Sequence, residues 1–200
     1  MEKYSQNNEQ EIILNYFSGK PVGKFLEIGA YHPTVFSNTR SLYESGWVGV
    51  YVEPSEPCYE HFVKEYDKDE RIILLNVAIA EKDGPVTFYE SGGDAISSTS
   101  PAHVKKWEAG YPVKFKETEV AGMAMSTLLT EYGKDVDFLN LDVEGTNIEL
   151  FNLIPDTFWQ RLKMICIEHD GQQQHIINRL APFGFKQVGF NGENLLMGKI

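Results

Sequence analysis

The chain has 200 residues, 42% hydrophobic and 24% charged, a balance that excludes a disordered protein and allows a sizeable core. Its formal net charge of −11 opposes long-range attraction to phosphate backbones, so nucleic acid and anionic membranes are not expected partners. No apolar run approaches a membrane span and the opening Met1–Asn8 is polar, which leads us to expect a cytoplasmic protein.

In chain order, Ile12, Ile13, Tyr16 and Phe17 fall on one face of a helix over 9–17 that Gly19 stops, giving an N-terminal helical segment within 1–22. An apolar strand over 24–30 follows. Ser37 is placed to cap a helix running to about Ser45, with Gly46 as its left-handed terminator. A second strand covers 48–53. The next helix starts near Pro57 and turns Tyr59, Phe62, Val63 and Tyr66 inward. Residues 72–80 read as a third strand. This β-α-β-α-β order implies parallel pairing with right-handed crossovers.

Residues 84–125 read as an irregular insertion on the acceptor side. They hold an extended piece (85–89), a polar loop with Ser97–Ser100, a short helix (101–108) and a strand-like piece (113–120). Either this segment covers an acceptor, or it is a plain surface loop anchored by Trp107. Ser126 is placed to cap a helix carrying Leu128, Leu129 and Tyr132. A fourth strand spans 136–142 and a fifth 164–168, each followed by a helix. The end reads as a hairpin, 185–190 and 195–199, around Asn191–Asn194. Cys58 and Cys166 lack metal-ligand spacing and read as free thiols.

Glu27, Glu53, Asp142 and Glu168 stand at or near the ends of predicted parallel strands. In an open parallel sheet those ends line one crevice, so four acidic groups converge. Gly29 permits close approach of a backbone to a ligand, and Glu53 sits where a carboxylate can accept from both ribose hydroxyls of an adenosine cofactor.

Several segments, taken in order, resemble FkbM-type methyltransferases. They are Tyr4-Ser5-Gln6 with Gln10-Glu11-Ile12-Ile13, Phe25 to Ala30, Phe36-Ser37-Asn38-Thr39, Gly46 to Val50, and Val52-Glu53-Pro54. The most specific is Asp137-Phe138-Leu139-Asn140-Leu141-Asp142-Val143-Glu144-Gly145. The resemblance implies one α/β domain over 1–200 with a Rossmann-like class I methyltransferase fold. Its sheet would be seven-stranded and mostly parallel, with helices on both faces and an antiparallel C-terminal hairpin. The implied cofactor is S-adenosylmethionine. Glu27, Gly29 and Ala30 would lie near its methionine part, Glu53 at the ribose, Asn76 and Ala78 beside adenine, and Asp142 at the same site. The implied reaction is O-methylation of a hydroxyl on a small molecule, a sugar being one candidate. Two departures stand out: Pro33 replaces a second glycine in the loop after the first strand, and Glu11 replaces an Asp.

A hydroxyl acceptor must lose a proton. His32, Asp142, Glu144, His169 and Asp170 are the candidate bases, with His169 ranked first because it directly follows the fifth strand. Competing readings are that His32 only fixes the loop before Pro33, and that Asp142 and Glu144 cap the helix starting near Gly145. Asp142 with Glu168 or Asp170, helped by His32 or His169, would alternatively hold a divalent cation such as Mg2+. Two other functions stay open: a nicotinamide-dependent oxidoreductase, which would want a fuller glycine-rich turn, and a non-catalytic cofactor-binding module.

Overall fold

The computed structural model describes residues 2–200. The chain opens with α1 (Glu9–Phe17), β1 (Lys24–Ile28), α2 (Arg40–Glu44), β2 (Val48–Val52), α3 (Glu56–Tyr66) and β3 (Ile72–Leu75). The middle contains β4 (Ala78–Ala80), β5 (Gly84–Glu90), α4 (Pro101–Gly110), β6 (Lys116–Ala124) and α5 (Met125–Glu131). It closes with β7 (Val136–Leu141), α6 (Asn147–Leu153), α7 (Asp156–Trp159), β8 (Met164–Glu168), α8 (Gln173–Leu180), β9 (Phe185–Phe190) and β10 (Asn194–Lys199).

The main sheet has seven strands in the order β3-β2-β1-β7-β8-β10-β9. Its pairs are parallel except those made by β10, which runs antiparallel to β8 and β9. The strands are apolar on both faces because helices cover both. Leu26, Val50, Leu139 and Ile165 pack under Leu128, Phe151, Trp159 and Ile176 of α5 to α8. On the opposite face Phe25, Tyr51 and Phe138 pack against Ile13, Leu42 and Phe62 of α1 to α3. Each fully buried Leu or Phe contributes about 1.5–3 kcal/mol to this sandwich. Among the described residues no helix is long and apolar enough to cross a membrane.

Register sets the site. Ile28 pairs with Val52 on one side and Leu141 on the other, so three strand tips end level. The next backbone groups continue the ladder: Gly29 N–H donates to Val52 O (3.0 Å) and Asp142 N–H to Ile28 O (3.0 Å). Gly29 has φ +80°, and a Cβ there would lie 1.7 Å from the Asp142 carbonyl oxygen, so only glycine fits.

Several sequence expectations need correction. The strand expected over 72–80 splits in two, because the Asn76 side-chain amide donates to the carbonyls of Glu53 (2.8 Å) and Pro54 (3.2 Å) and ends the ladder. The second piece, β4, joins a separate three-stranded sheet with β6 and β5. Residues 84–125 are therefore not irregular: β5 and β6 pair antiparallel over seven residue pairs, with α4 between them. Ser126 does not cap α5. Asp83 braces the helix start from outside, accepting from Ala124 N–H (2.7 Å) and the Thr127 hydroxyl (2.8 Å). The helix expected from Ser37 begins at Arg40, whose N–H donates to Ser37 Oγ (3.1 Å). On α3 the inward residues include Cys58, while Val63 is exposed.

Candidate active site

Two chambers open at the carboxyl ends of β1, β2 and β7 and share a wall made of Gly29, Tyr31, Ala95, Asp142 and Glu144. The first is mainly apolar, with Ile28, Val52, Val77, Ala78, Ile79 and Phe88 around it. Glu53 is its buried charged group. Its Oε2 accepts from Tyr31 N–H (2.8 Å) and its Oε1 from Ser55 N–H (2.7 Å), which leaves one lone pair on each oxygen. Burial pushes its carboxyl up to about 7, against the pull of those two bonds. Ala78 lines this chamber as expected. Asn76 is not among its lining residues and is committed to holding the β2 and β3 tips together.

The second chamber is polar. Glu27, placed beside Asn140 by the β1–β7 register, accepts from the Thr39 hydroxyl (2.5 Å) and Asn140 Nδ2 (3.1 Å). Burial pushes its carboxyl up to about 8, while the Thr39 and Asn38 bonds act the other way. Asn38 Nδ2 donates in turn to Asn140 Oδ1 (3.1 Å). Ala30 lines this chamber, not the first.

Asp142 and Glu144 stand between the chambers. Asp142 Oδ1 is buried without a hydrogen-bond partner. Burial first, then repulsion from Glu144 and Glu168, holds its carboxyl well above the usual range. Glu144 has φ +55°, a conformation that costs a non-glycine residue about 1–3 kcal/mol. Its carbonyl accepts from Ser98 Oγ (2.5 Å), and its Oε2 lies 3.6 Å from His103 Nε2 on α4. Burial, with Glu168 and Asp170 adding repulsion, pushes the Glu144 carboxyl up to about 8. The capping role considered for it does not hold, since α6 begins only at Asn147 after Thr146.

The first-ranked base is displaced. His169 Nδ1 accepts from Gly171 N–H (2.9 Å) and its Nε2 faces Gly192 O (2.9 Å), so the tautomer protonated at Nε2 satisfies both ring nitrogens. The ring stacks on Phe190 at 5.3 Å and lines neither chamber. It fixes the turn after β8. His32 also lies outside both chambers. Its Nδ1 accepts from Thr34 N–H (3.1 Å) and Val35 N–H (3.1 Å), and burial and the nearby His61 lower its pKa. It shapes the loop around Pro33.

The cation set Asp142, Glu168 and Asp170 is not formed either. Among the described residues no group of three or more His, Cys, Asp or Glu side chains could hold a metal ion. Asn147 Nδ2 instead donates to Glu168 (2.7 Å) and Asp170 (3.2 Å).

Sequence reasoning missed Tyr31, Phe36, Asn38 and His103, and gave Asn140 no role. Asn140 carried a signal, being a polar residue inside an apolar strand. Tyr31 carried none, and Phe36 and Asn38 stood only within the segment Phe36-Ser37-Asn38-Thr39 that resembles the family. Tyr31 and Phe36 adopt left-handed conformations (φ 53° and 58°) in the loop after β1.

The family model described as Methyltransferase FkbM domain matches residues 27–188, well over half of the chain. Among solved structures, the chain is similar to the METTL16 MTase domain, with 12% identity, TM-score 0.51, and 96% of this chain and 66% of that one covered. It is also similar to a Staphylococcus aureus protein provisionally assigned as a caffeoyl-CoA O-methyltransferase, with 8% identity, TM-score 0.50, and 98% and 84% covered. At these identities the likeness concerns the fold. No curated protein matches the chain in sequence.

Proposed function

The chain belongs to the FkbM methyltransferase family, and from that premise we propose that it methylates a hydroxyl oxygen of a small molecule. It is an S-adenosylmethionine-dependent methyltransferase. Bound to the protein, that cofactor supplies a methyl group on a sulfonium, already a good leaving group.

The first chamber's residues fit the cofactor. Apolar side chains at the tips of β1 and β2 and along 77–79 suit a purine, and the free lone pairs of Glu53 suit ribose hydroxyl donors. Gly29 keeps the β1 tip open to a close-lying ligand. A pyrophosphate-bearing dinucleotide fits less well, because the loop after Gly29 is closed by buried Pro33 and offers no run of glycine amides.

The observation that carries the O-methyl reading is the position of Glu144. It borders both chambers, and its carboxyl, raised to about 8, is matched to accepting a hydroxyl proton near neutral pH. The acceptor hydroxyl gives its proton to Glu144 as its oxygen takes the methyl. Asp142 stands in the same wall, with its buried Oδ1 free to meet the acceptor. A net charge of −11 supports a small-molecule acceptor over nucleic acid.

Incubation with methyl-labelled cofactor and a panel of hydroxylated small molecules tests this. Label in a base-stable ether is the expected result. Label only on nitrogen, or none with the cofactor bound, would refute it.

A further inference from the structure

The second chamber is built to receive hydrogen-bond donors. It is bordered by the carboxyls of Glu9, Glu27, Asp142 and Glu144. No Lys, Arg or His is among its lining residues. Three of the four side-chain amides in its wall donate within the chain: Asn194 Nδ2 to Glu9 (3.0 Å), Asn140 Nδ2 to Glu27 (3.1 Å) and Asn38 Nδ2 to Asn140 (3.1 Å), with Gln6 the fourth. Unpaired acceptors remain. Asn38 is 7% exposed, yet its Oδ1 has no partner, and Asp142 Oδ1 has none either. An amide oxygen buried this way awaits an O–H or N–H from outside the chain.

Charge narrows the choice further. A carboxylate or phosphate would meet four carboxyls with no cation to offset them. An ammonium brings three donors and a positive charge that favours the ionised form of carboxyls held up by burial and by one another's repulsion. Tyr31 and Phe36 border the chamber with rings stacked at 6.2 Å, and Phe36 is 50% exposed. Such rings offer an apolar surface for C–H faces and a π face for a cation.

We propose, resting on the methyltransferase reading above, that this chamber selects an amine-bearing polyol as the methyl acceptor. The ammonium docks on the carboxyl wall while a hydroxyl of the same molecule meets Glu144. The acceptor O–H bond breaks and its proton passes to Glu144. An O–CH3 bond forms as the C–S bond breaks, its electron pair staying on sulfur. The ammonium has no lone pair and is not methylated.

The test measures binding to the full chain saturated with S-adenosylhomocysteine. The ligands are amino sugars and amino cyclitols, each beside its N-acetylated, deaminated and carboxylated counterpart. At least tenfold tighter binding of the amine over all three counterparts is expected. Equal binding, preference for the carboxylate, or no binding of any ligand overturns the proposal. Asn38→Leu should lose the amine preference while keeping its affinity for S-adenosylhomocysteine; a retained preference counts against the role given to Asn38. If that variant does not fold, the ligand series on the unaltered chain decides. Failure of S-adenosylhomocysteine to bind at all overturns the methyltransferase reading itself, and so is distinct from a missing amine preference.

Discussion

His103 Nε2 and Glu144 Oε2 lie 3.6 Å apart across the junction between α4 and the loop that follows β7. The histidine is buried, its Nε2 makes no hydrogen bond, and burial lowers its pKa. A neutral imidazole so placed can steer the carboxylate toward an acceptor without holding the proton itself. His103→Ala should therefore lower kcat roughly tenfold, the effect of about 1.4 kcal/mol, with cofactor Kd unchanged. His103→Gln, which keeps a donor, should recover part of the loss. Equal losses in both variants would mean a purely structural role.

Glu144→Gln removes the base while keeping the shape. Turnover should fall by about 10²–10⁴-fold with cofactor affinity intact. In the unaltered protein kcat/KM should rise with pH and level off above about 8, where the Glu144 carboxyl of the free enzyme is ionised. Steady-state kinetics from pH 6 to 10 (about this span brackets the transition) would check both; a flat profile contradicts the assignment.

Glu53→Ala should weaken S-adenosylmethionine binding by about 1.5–3 kcal/mol, the worth of hydrogen bonds to a charged group. Calorimetric titration measures this directly, and an unchanged Kd would remove Glu53 from the cofactor site.

The buried acids also make stability depend on pH. Glu27, Glu53 and Glu144 are raised from an ordinary 4.5 to about 8, 7 and 8. Between 4.5 and those values the unfolded chain holds fewer protons than the folded one, so stability falls as pH rises. The cofactor-free protein should accordingly show a declining Tm from about pH 5 to pH 8. A Tm that climbs over this interval contradicts the burial of these groups.

Gly29→Ala would drive a Cβ into the Asp142 carbonyl at 1.7 Å and impose a side chain at φ +80°. A loss of several kcal/mol, beyond the ~1–3 kcal/mol of backbone strain alone, should appear in chemical denaturation. Near-native stability would show that the β1 and β7 tips are not this close.

Much of the frame was legible in the sequence, because it rests on local patterns. The apolar runs ending at Ile28, Val52, Leu141 and Glu168 are strands, and Gly29, Glu53 and Asp142 border one cavity. What escaped depends on long-range geometry. His169 follows β8 as expected, but the turn through Gly171 and the hairpin carbonyl of Gly192 take both ring nitrogens. Asn76 lies at the end of β3, yet its amide reaches back to β2. Glu144 and His103 are 41 residues apart, and only the α4 lobe packing over the β7 loop brings them together. The split at 76–77 could not be read from one apolar run, since which sheet the second half joins depends on β6.

A crystal structure with S-adenosylhomocysteine bears most directly on the central claim. The nucleoside should lie between Glu53 and Ala78 in the first chamber, with the sulfur turned toward Asp142, Glu144 and the polar chamber beyond them. Density for the ligand anywhere else, or a sulfur facing away from Glu144, would contradict the account.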